Sequence, residues 1–389
     1  MSLKKLYNLK NISVATAAIL LFPINLFAQD RDKIPIVLDP VNIIETTTVK
    51  SQDRTGTCWS FATTSFIETE LYRMGKGEYN ISEMFFARYA YEEKADLYIR
   101  YHGAANFGPG GQAHDVMNVI RKYGMITEDA YHGVEYGSKI HNHGELNNVL
   151  EGFLEGVLKG RQMTTAWKTA YSGILDAYLG PVPETFSVNG KEFTPKDFVS
   201  ALEFNPDDYI EFTSYSHQPY YKNFILEVPD NWSNDPYFNL PLDDLMEIVV
   251  NSLKEGYSVC WDGDVSDKGF SHKKGLAIVP LKDWSEMSSE EVDSVYTNTI
   301  DEKVITPEMR QVAYDNFKTT DDHLMHLTGL FKDSNGKYFF LTKNSWGSKS
   351  NDYEGFLYMS DAFLRLGTIA ILVHKDAIPK HIYKKVFEK

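Results

Sequence analysis

The sequence predicts an α+β protein, with helices gathered early in the chain and an antiparallel sheet late. Three observations predict it. Residues 58–74 contain no Gly or Pro, and Ile67, Leu71 and Met74 recur at helical spacing. Residues 324–331 and 338–343 are apolar, β-rich runs flanking Asp333-Ser334-Asn335-Gly336, a hairpin signal. The two element types are segregated rather than alternating, which is the pattern of α+β and not of α/β.

Taken in order, residues 1–28 read as a secretory signal. Lys4, Lys5 and Lys10 precede an apolar run over residues 12–22, too short to span ~30 Å of hydrocarbon. Pro23 and Asn25 break the run, and Ala28 offers a cut before Gln29. The mature protein is expected to be exported, periplasmic or extracellular, with no stable membrane insertion after signal removal. Residues 29–135 form a helical N-terminal region. It starts with a β-like piece at 36–38. The helix over 58–74 is stopped by Gly75 and Gly77, a second is capped by Ser82 and runs to about residue 94, and a third over 114–123 ends at Gly124. Residues 136–255 read as mostly helical. Leu146, Leu150, Phe153 and Val157 mark one helix, with others near 167–178 and 242–253, although 179–240 is rich in Pro, Asn and Asp and shows little periodicity. Residues 256–375 form the β region, with strands starting at 259, 324, 338, 356 and 368, and residues 376–389 are a short tail.

Composition narrows the function. Of 389 residues, 43% are hydrophobic and 14% aromatic, enough for a sizeable core. The formal net charge of −15 repels phosphate backbones, so no nucleic-acid partner is expected. No P-loop is present. Two cysteines exclude a disulfide framework and a cysteine-rich zinc module. No HExxH spacing occurs, and His141-Asn142-His143, the nearest approach to a metal pair, reads as a solvated loop. No metal and no cofactor are expected.

The segment from Gln52 to Phe61 carries the chemistry. Cys58 stands at the first turn of a helix, where the dipole and spare N–H groups favour a thiolate. Gly56 lets the chain turn into that helix. Gln52 is placed for its amide, with the Cys58 N–H, to hold a developing oxyanion. A thiolate needs a base and a group to orient it. His323 and Asn344, on opposite arms of the late hairpin, supply both, with Trp346 covering the bond between them. Strand alternation puts His323, not His326, on the face of Asn344. A two-residue turn at Asn335-Gly336 would place Asn344 opposite Leu327, so a longer loop or a bulge is expected. Cys260, in an apolar strand-like run, reads as a buried thiol and not as a disulfide partner of Cys58.

These residues resemble the papain-like cysteine peptidases. Gln52, Cys58-Trp59-x-Phe61, His323 and Asn344-Ser345-Trp346-Gly347 match that family's motifs in order. Gly110 and Gly111 resemble the loop with which the family binds the substrate backbone. The Cys58–His323 separation is far wider than the usual ~130–150 residues, so residues 136–255 are an insertion. Leu179-Gly180-Pro181-Val182-Pro183, His217-Gln218-Pro219-Tyr220 and Cys260-Trp261-Asp262-Gly263-Asp264 are similar to the bleomycin hydrolase / aminopeptidase C branch. The resemblance implies a two-lobe fold, helical lobe plus antiparallel β lobe, with a helical insertion. It also implies peptide substrates, a Cys58–His323–Asn344 site with Gln52 in the oxyanion hole, and possible assembly into a hexamer. In that branch a C-terminal arm enters the cleft and enforces aminopeptidase action. The tail here is shorter, so an endopeptidase or mixed-specificity peptidase is the second reading, and a catalytically silent binding protein on the same fold the third.

Overall fold

A computed structural model describes residues 36–160 and 162–388. The signal segment expected over 1–28 lies outside the described residues. Among those described, the helical half comprises α1 (Cys58–Arg73), α2 (Glu83–Arg100), α3 (Ala113–Tyr123), α4 (Gly144–Leu158), α5 (Ala166–Leu179) and α6 (Pro195–Leu202). Ser82 caps α2 by accepting from the Phe85 N–H at 3.2 Å. That helix runs six residues beyond the expected end, because Ala95, Tyr98 and Ile99 keep packing into the helical core. Gly124 stops α3 at φ +95, and a side chain there would run into the Pro195 backbone.

The strands are β1 (Asp39–Ile43), β2 (Phe186–Val188), β3 (Lys191–Phe193), β4 (Tyr209–Thr213), β5 (Lys222–Ile225), β6 (Pro236–Asn239), β7 (Val259–Gly263), β8 (Phe270–Ser271), β9 (Leu276–Ala277), β10 (His323–Lys332), β11 (Tyr338–Lys343), β12 (Phe356–Ser360) and β13 (Thr368–His374). All but the β2–β3 hairpin join one sheet, ordered β5-β6-β4-β13-β7-β10-β11-β12-β9-β8, with β1 added against β10. The first strand starts at Asp39, just after the expected piece at 36–38. The sheet is mixed rather than purely antiparallel, because β12 pairs β9 and β4 pairs β6 in parallel. The stretch 179–240, aperiodic in sequence, supplies β2 to β6. Helices α7 (Leu242–Lys254), α8 (Ser289–Val295), α9 (Pro307–Asp315), α10 (Asp361–Gly367) and α11 (Lys380–Phe387) complete the described chain.

Two large apolar clusters and two smaller ones form the interior of the described residues. Of the large ones, one gathers Trp59, Phe66, Phe85 and Val116 from the helices, and the other Trp261, Met325, Leu327 and Phe340 from the sheet. Helix α1 lies along β10 between them. Ser65 bonds the His326 ring at 3.0 Å, and Cys58 takes the Leu324 N–H. Helix and strand therefore begin at the same end, and this brings the head of α1 to His323.

Candidate active site

Cys58 is buried at the head of α1, and its sulfur accepts from the Leu324 N–H, one residue along β10 from His323. His323 Nε2 lies 2.7 Å from Asn344 Oδ1. The same oxygen accepts the Ser345 backbone N–H at 2.7 Å, which identifies it as oxygen without reference to the histidine. His323 therefore carries its hydrogen on Nε2 and keeps Nδ1 as a base. Asn344 follows β11 directly. The hairpin turn holds five residues, with Lys332 paired to Tyr338, and the register slips between Leu327 and Gly329. That is the longer loop and the bulge that the alternation argument requires. His326 faces away, packed on Phe66 and bonded to Ser65.

Gln52 is clamped to the same corner. Its N–H donates to Ser345 O at 2.8 Å, its Oε1 accepts from Ser345 Oγ at 2.7 Å, and its Nε2 donates to Thr55 O at 2.9 Å. The Thr55 carbonyl only accepts, so the amide orientation is settled. One amide hydrogen is left without a protein acceptor among the described residues. The Cys58 N–H, at the first residue of α1, is one of the donors that a helix start leaves unmatched.

Trp346, 37% exposed, lies over the His323 ring at 5.0 Å and edge-on to His272 at 4.8 Å. His272 is the residue that sequence reasoning missed. Its Nδ1 accepts from Asn344 Nδ2 at 3.2 Å, its Nε2 donates to Ser350 Oγ at 2.7 Å, and Ser350 donates to Gly347 O at 2.6 Å. Every donor in that chain points away from His323, so His272 holds the Asn344 amide with its oxygen toward the imidazole. No motif surrounds His272, and only the fold brings it within reach.

The glycine loop lies beside Trp59 and Gly56. Trp59 Nε1 donates to Pro109 O at 2.9 Å. A side chain on Gly56 would strike Pro109, one on Gly111 would strike Trp59, and one on Gly110 would strike the Asp230 carboxylate. Gly110 and Gly111 thus sit against the segment that starts α1. Cys58 and Cys260 are both free thiols, with Cys260 Sγ 3.5 Å from Thr63 Oγ1. His141 and His143 are buried, not solvated as their loop suggested.

Burial opposes each charge of the expected thiolate–imidazolium pair when that charge is taken alone. Burial pushes the Cys58 thiol up to about 12, with the Leu324 N–H opposing and Asp262, Asp321 and Asp230 reinforcing. A rise from 9.0 to about 12 represents ~4 kcal/mol. A helix start opposes burial with ~0.3–2 kcal/mol, and a paired imidazolium adds to it. Burial likewise brings His323 down to about 4, against the Asn344 bond and the Asp322 charge. Each group resists becoming charged alone. Proton transfer from sulfur to imidazole creates both charges together, and each then stabilises the other. Asp262 is fully buried with no hydrogen-bond donor to its carboxylate oxygens among the described residues. Burial first, and then the Asp321 charge, raises it well above the usual range, so it holds a proton.

Comparison with known proteins places this geometry. The model of the Peptidase C1-like family matches residues 186–389, more than half the chain, including His323 and Asn344. The chain belongs to the Peptidase C1-like family. It is a cysteine-type peptidase. Aminopeptidase C of Lactobacillus delbrueckii subsp. lactis is 22% identical over 93% of this chain and 87% of its own length. Bleomycin hydrolase of Mus musculus is 25% identical over 70% of this chain and 64% of its own. The crystal structure of PepW from Lactobacillus rhamnosis superposes with a TM-score of 0.70 at 19% identity, covering 89% of this chain and 84% of that one. The papain-like two-lobe fold is thereby established.

Proposed function

We propose that the chain is an exported cysteine aminopeptidase in which Cys58 is the nucleophile. The observation that carries this reading is the meeting of the Cys58 sulfur with the head of β10, where His323 is held on Asn344. His323 Nδ1 takes the thiol proton as sulfur attacks the carbonyl carbon. The developing oxyanion takes the spare Gln52 amide hydrogen and the Cys58 N–H. The imidazolium then protonates the departing amine and leaves an acyl-enzyme. Water loses a proton to His323, attacks the thioester and releases the acid and the thiol.

Peptides with a free α-ammonium group are the proposed substrates. Relatives named aminopeptidase C support this, and so does the charge around the sulfur, where Asp230 and Asp321 bear on Cys58. The second reading is an endopeptidase or mixed-specificity peptidase, and the packing of α11 is compatible with it. Helix α11 buries Ile382 and Val386 in the sheet cluster, and Lys385 bonds Asp244 on α7, so none of these contacts reaches the site. Hydrolysis of amino-free and amino-blocked versions of one peptide separates the readings. A preference for free peptides by at least tenfold supports the first, and equal rates support the second. Cys58→Ala is expected to lower turnover at least ~10⁴-fold, and retained activity refutes both. Export predicts a mature N-terminus at Gln29 in the periplasm or medium, which N-terminal sequencing reads. Sedimentation tests the hexamer that the resemblance implies.

A further inference from the structure

We infer that Glu128, His132 and His141 form a binding site for a divalent transition-metal ion of the zinc class. The site lies beside the loop that carries Gln52 and is separate from the catalytic cleft. One donor atom from each residue falls within 4.8 Å of the other two. Zinc-bound donors in tetrahedral geometry stand about 3.3 Å apart, so binding draws the widest-spaced pair together by at most about 1.5 Å. Two imidazoles and one carboxylate are the donor set of zinc and its transition-metal neighbours. Magnesium and calcium prefer all-oxygen sites.

Buried donors without partners support the assignment. His141 is 7% exposed, and its Nδ1 has no hydrogen-bond partner among the described residues. Glu128 Oε2 is also buried without a donor, while Glu128 Oε1 faces His132 Nδ1. Buried polar atoms left unmatched are costly and call for an explanation such as an ion. All three residues line a cavity of about 650 Å³ shared with Ser51, Asp53 and Lys139, so a fourth position is open to solvent.

The site is tied to the Gln52 loop by backbone bonds. The His141 N–H donates to Asp53 Oδ2 at 3.1 Å, the Arg54 N–H to His141 O at 3.1 Å, and the His143 N–H to Arg54 O at 3.1 Å. Asp53 sits at φ +52, a left-handed conformation that Asp adopts more readily than most residues. An ion on His141 fixes the strand-like partner of Asp53 and Arg54, and so braces the segment between Gln52 and Cys58.

The test titrates untagged full-length protein with Co²⁺ and then Zn²⁺. Cys58 is first alkylated so that the catalytic thiol cannot bind the ion. The expected result is one ion per chain, visible ligand-field absorption with Co²⁺ that Zn²⁺ abolishes, and a higher Tm with Zn²⁺. His132→Ala and Glu128→Gln, both at positions that are not fully buried, are expected to weaken binding at least tenfold and remove the Tm rise. His141→Ala is expected to abolish binding. If His141→Ala does not fold, the other two variants decide. Absence of binding by the alkylated protein, or equal affinity in His132→Ala and Glu128→Gln, overturns the assignment.

Discussion

At the scale of single residues, the cleft is organised around a buried sulfur that resists ionisation and an imidazole that resists protonation. Asp321 is one of the charges that keep the sulfur protonated. Removing a negative charge favours the thiolate, so Asp321→Asn is expected to move the alkylation pH profile of Cys58 to lower pH. An unchanged or upward-shifted profile contradicts that electrostatic account. His272 touches no reacting atom and acts through Asn344, so it is a positioning residue. His272→Ala is expected to lower kcat on the order of tenfold, ~1.4 kcal/mol, with KM little changed and the His323 limb of the pH–rate profile displaced. A change confined to stability would make its role structural only. The catalytic candidates were legible because Cys58, Gln52 and Asn344-Ser345-Trp346-Gly347 sit in local motifs. His272 was not, since its partnership with Asn344 arises from the packing of a loop far away in the chain.

At the scale of elements, α1 and β10 matter most, and other elements are pinned around them by buried polar contacts. His114, at the start of α3, bonds Glu211 on β4 at 2.8 Å through Nδ1 and Ser233 at 3.1 Å through Nε2, so both ring nitrogens donate. Burial opposes its charge, but Glu211 with Asp115 and Asp235 prevails and raises it to about 9. An unfolded histidine titrates near ~6.5. The folded protein therefore holds the proton more tightly. The resulting stability is complete below about 6.5 and is lost as pH rises through about 9, with a limit of ~3 kcal/mol. Tm is expected to fall over that window, and Glu211→Gln should flatten the fall. An equally steep fall in the variant would assign it to other groups. Long helices and the late hairpin were readable from spacing and turn residues, and a longer loop or a bulge followed from the need to align Asn344 with His323, though not its position after Leu327. Strands β4 to β6 were not readable. They are four or five residues long, and β4, which joins them to the rest of the sheet, pairs with β13, a strand that comes much later in the chain.

At the scale of the whole molecule, the position of the tail bears on specificity and stability. The tail forms α11, which places Ile382 and Val386 in the sheet cluster. Deleting residues 380–389 is expected to destabilise by ~3–6 kcal/mol, from two buried aliphatic side chains at ~1.5–3 kcal/mol each. The deletion should leave the ratio of amino-free to amino-blocked hydrolysis unchanged. Loss of that ratio with the fold intact would mean that the terminus reaches the cleft after all. The buried His141 and His143 show the reach of tertiary context, because Phe61 on α1 and Tyr91 on α2 cover a loop whose own sequence looks solvated. The central claim is that one of two buried thiols attacks the substrate. It is tested most directly by inactivating the enzyme with a thiol-reactive peptide analogue and mapping the adduct by mass spectrometry. The account predicts a single label on Cys58, stoichiometric with lost activity, much slower in His323→Ala, and none on Cys260. Full activity with Cys58 blocked, or a label on Cys260 that tracks inactivation, would contradict it.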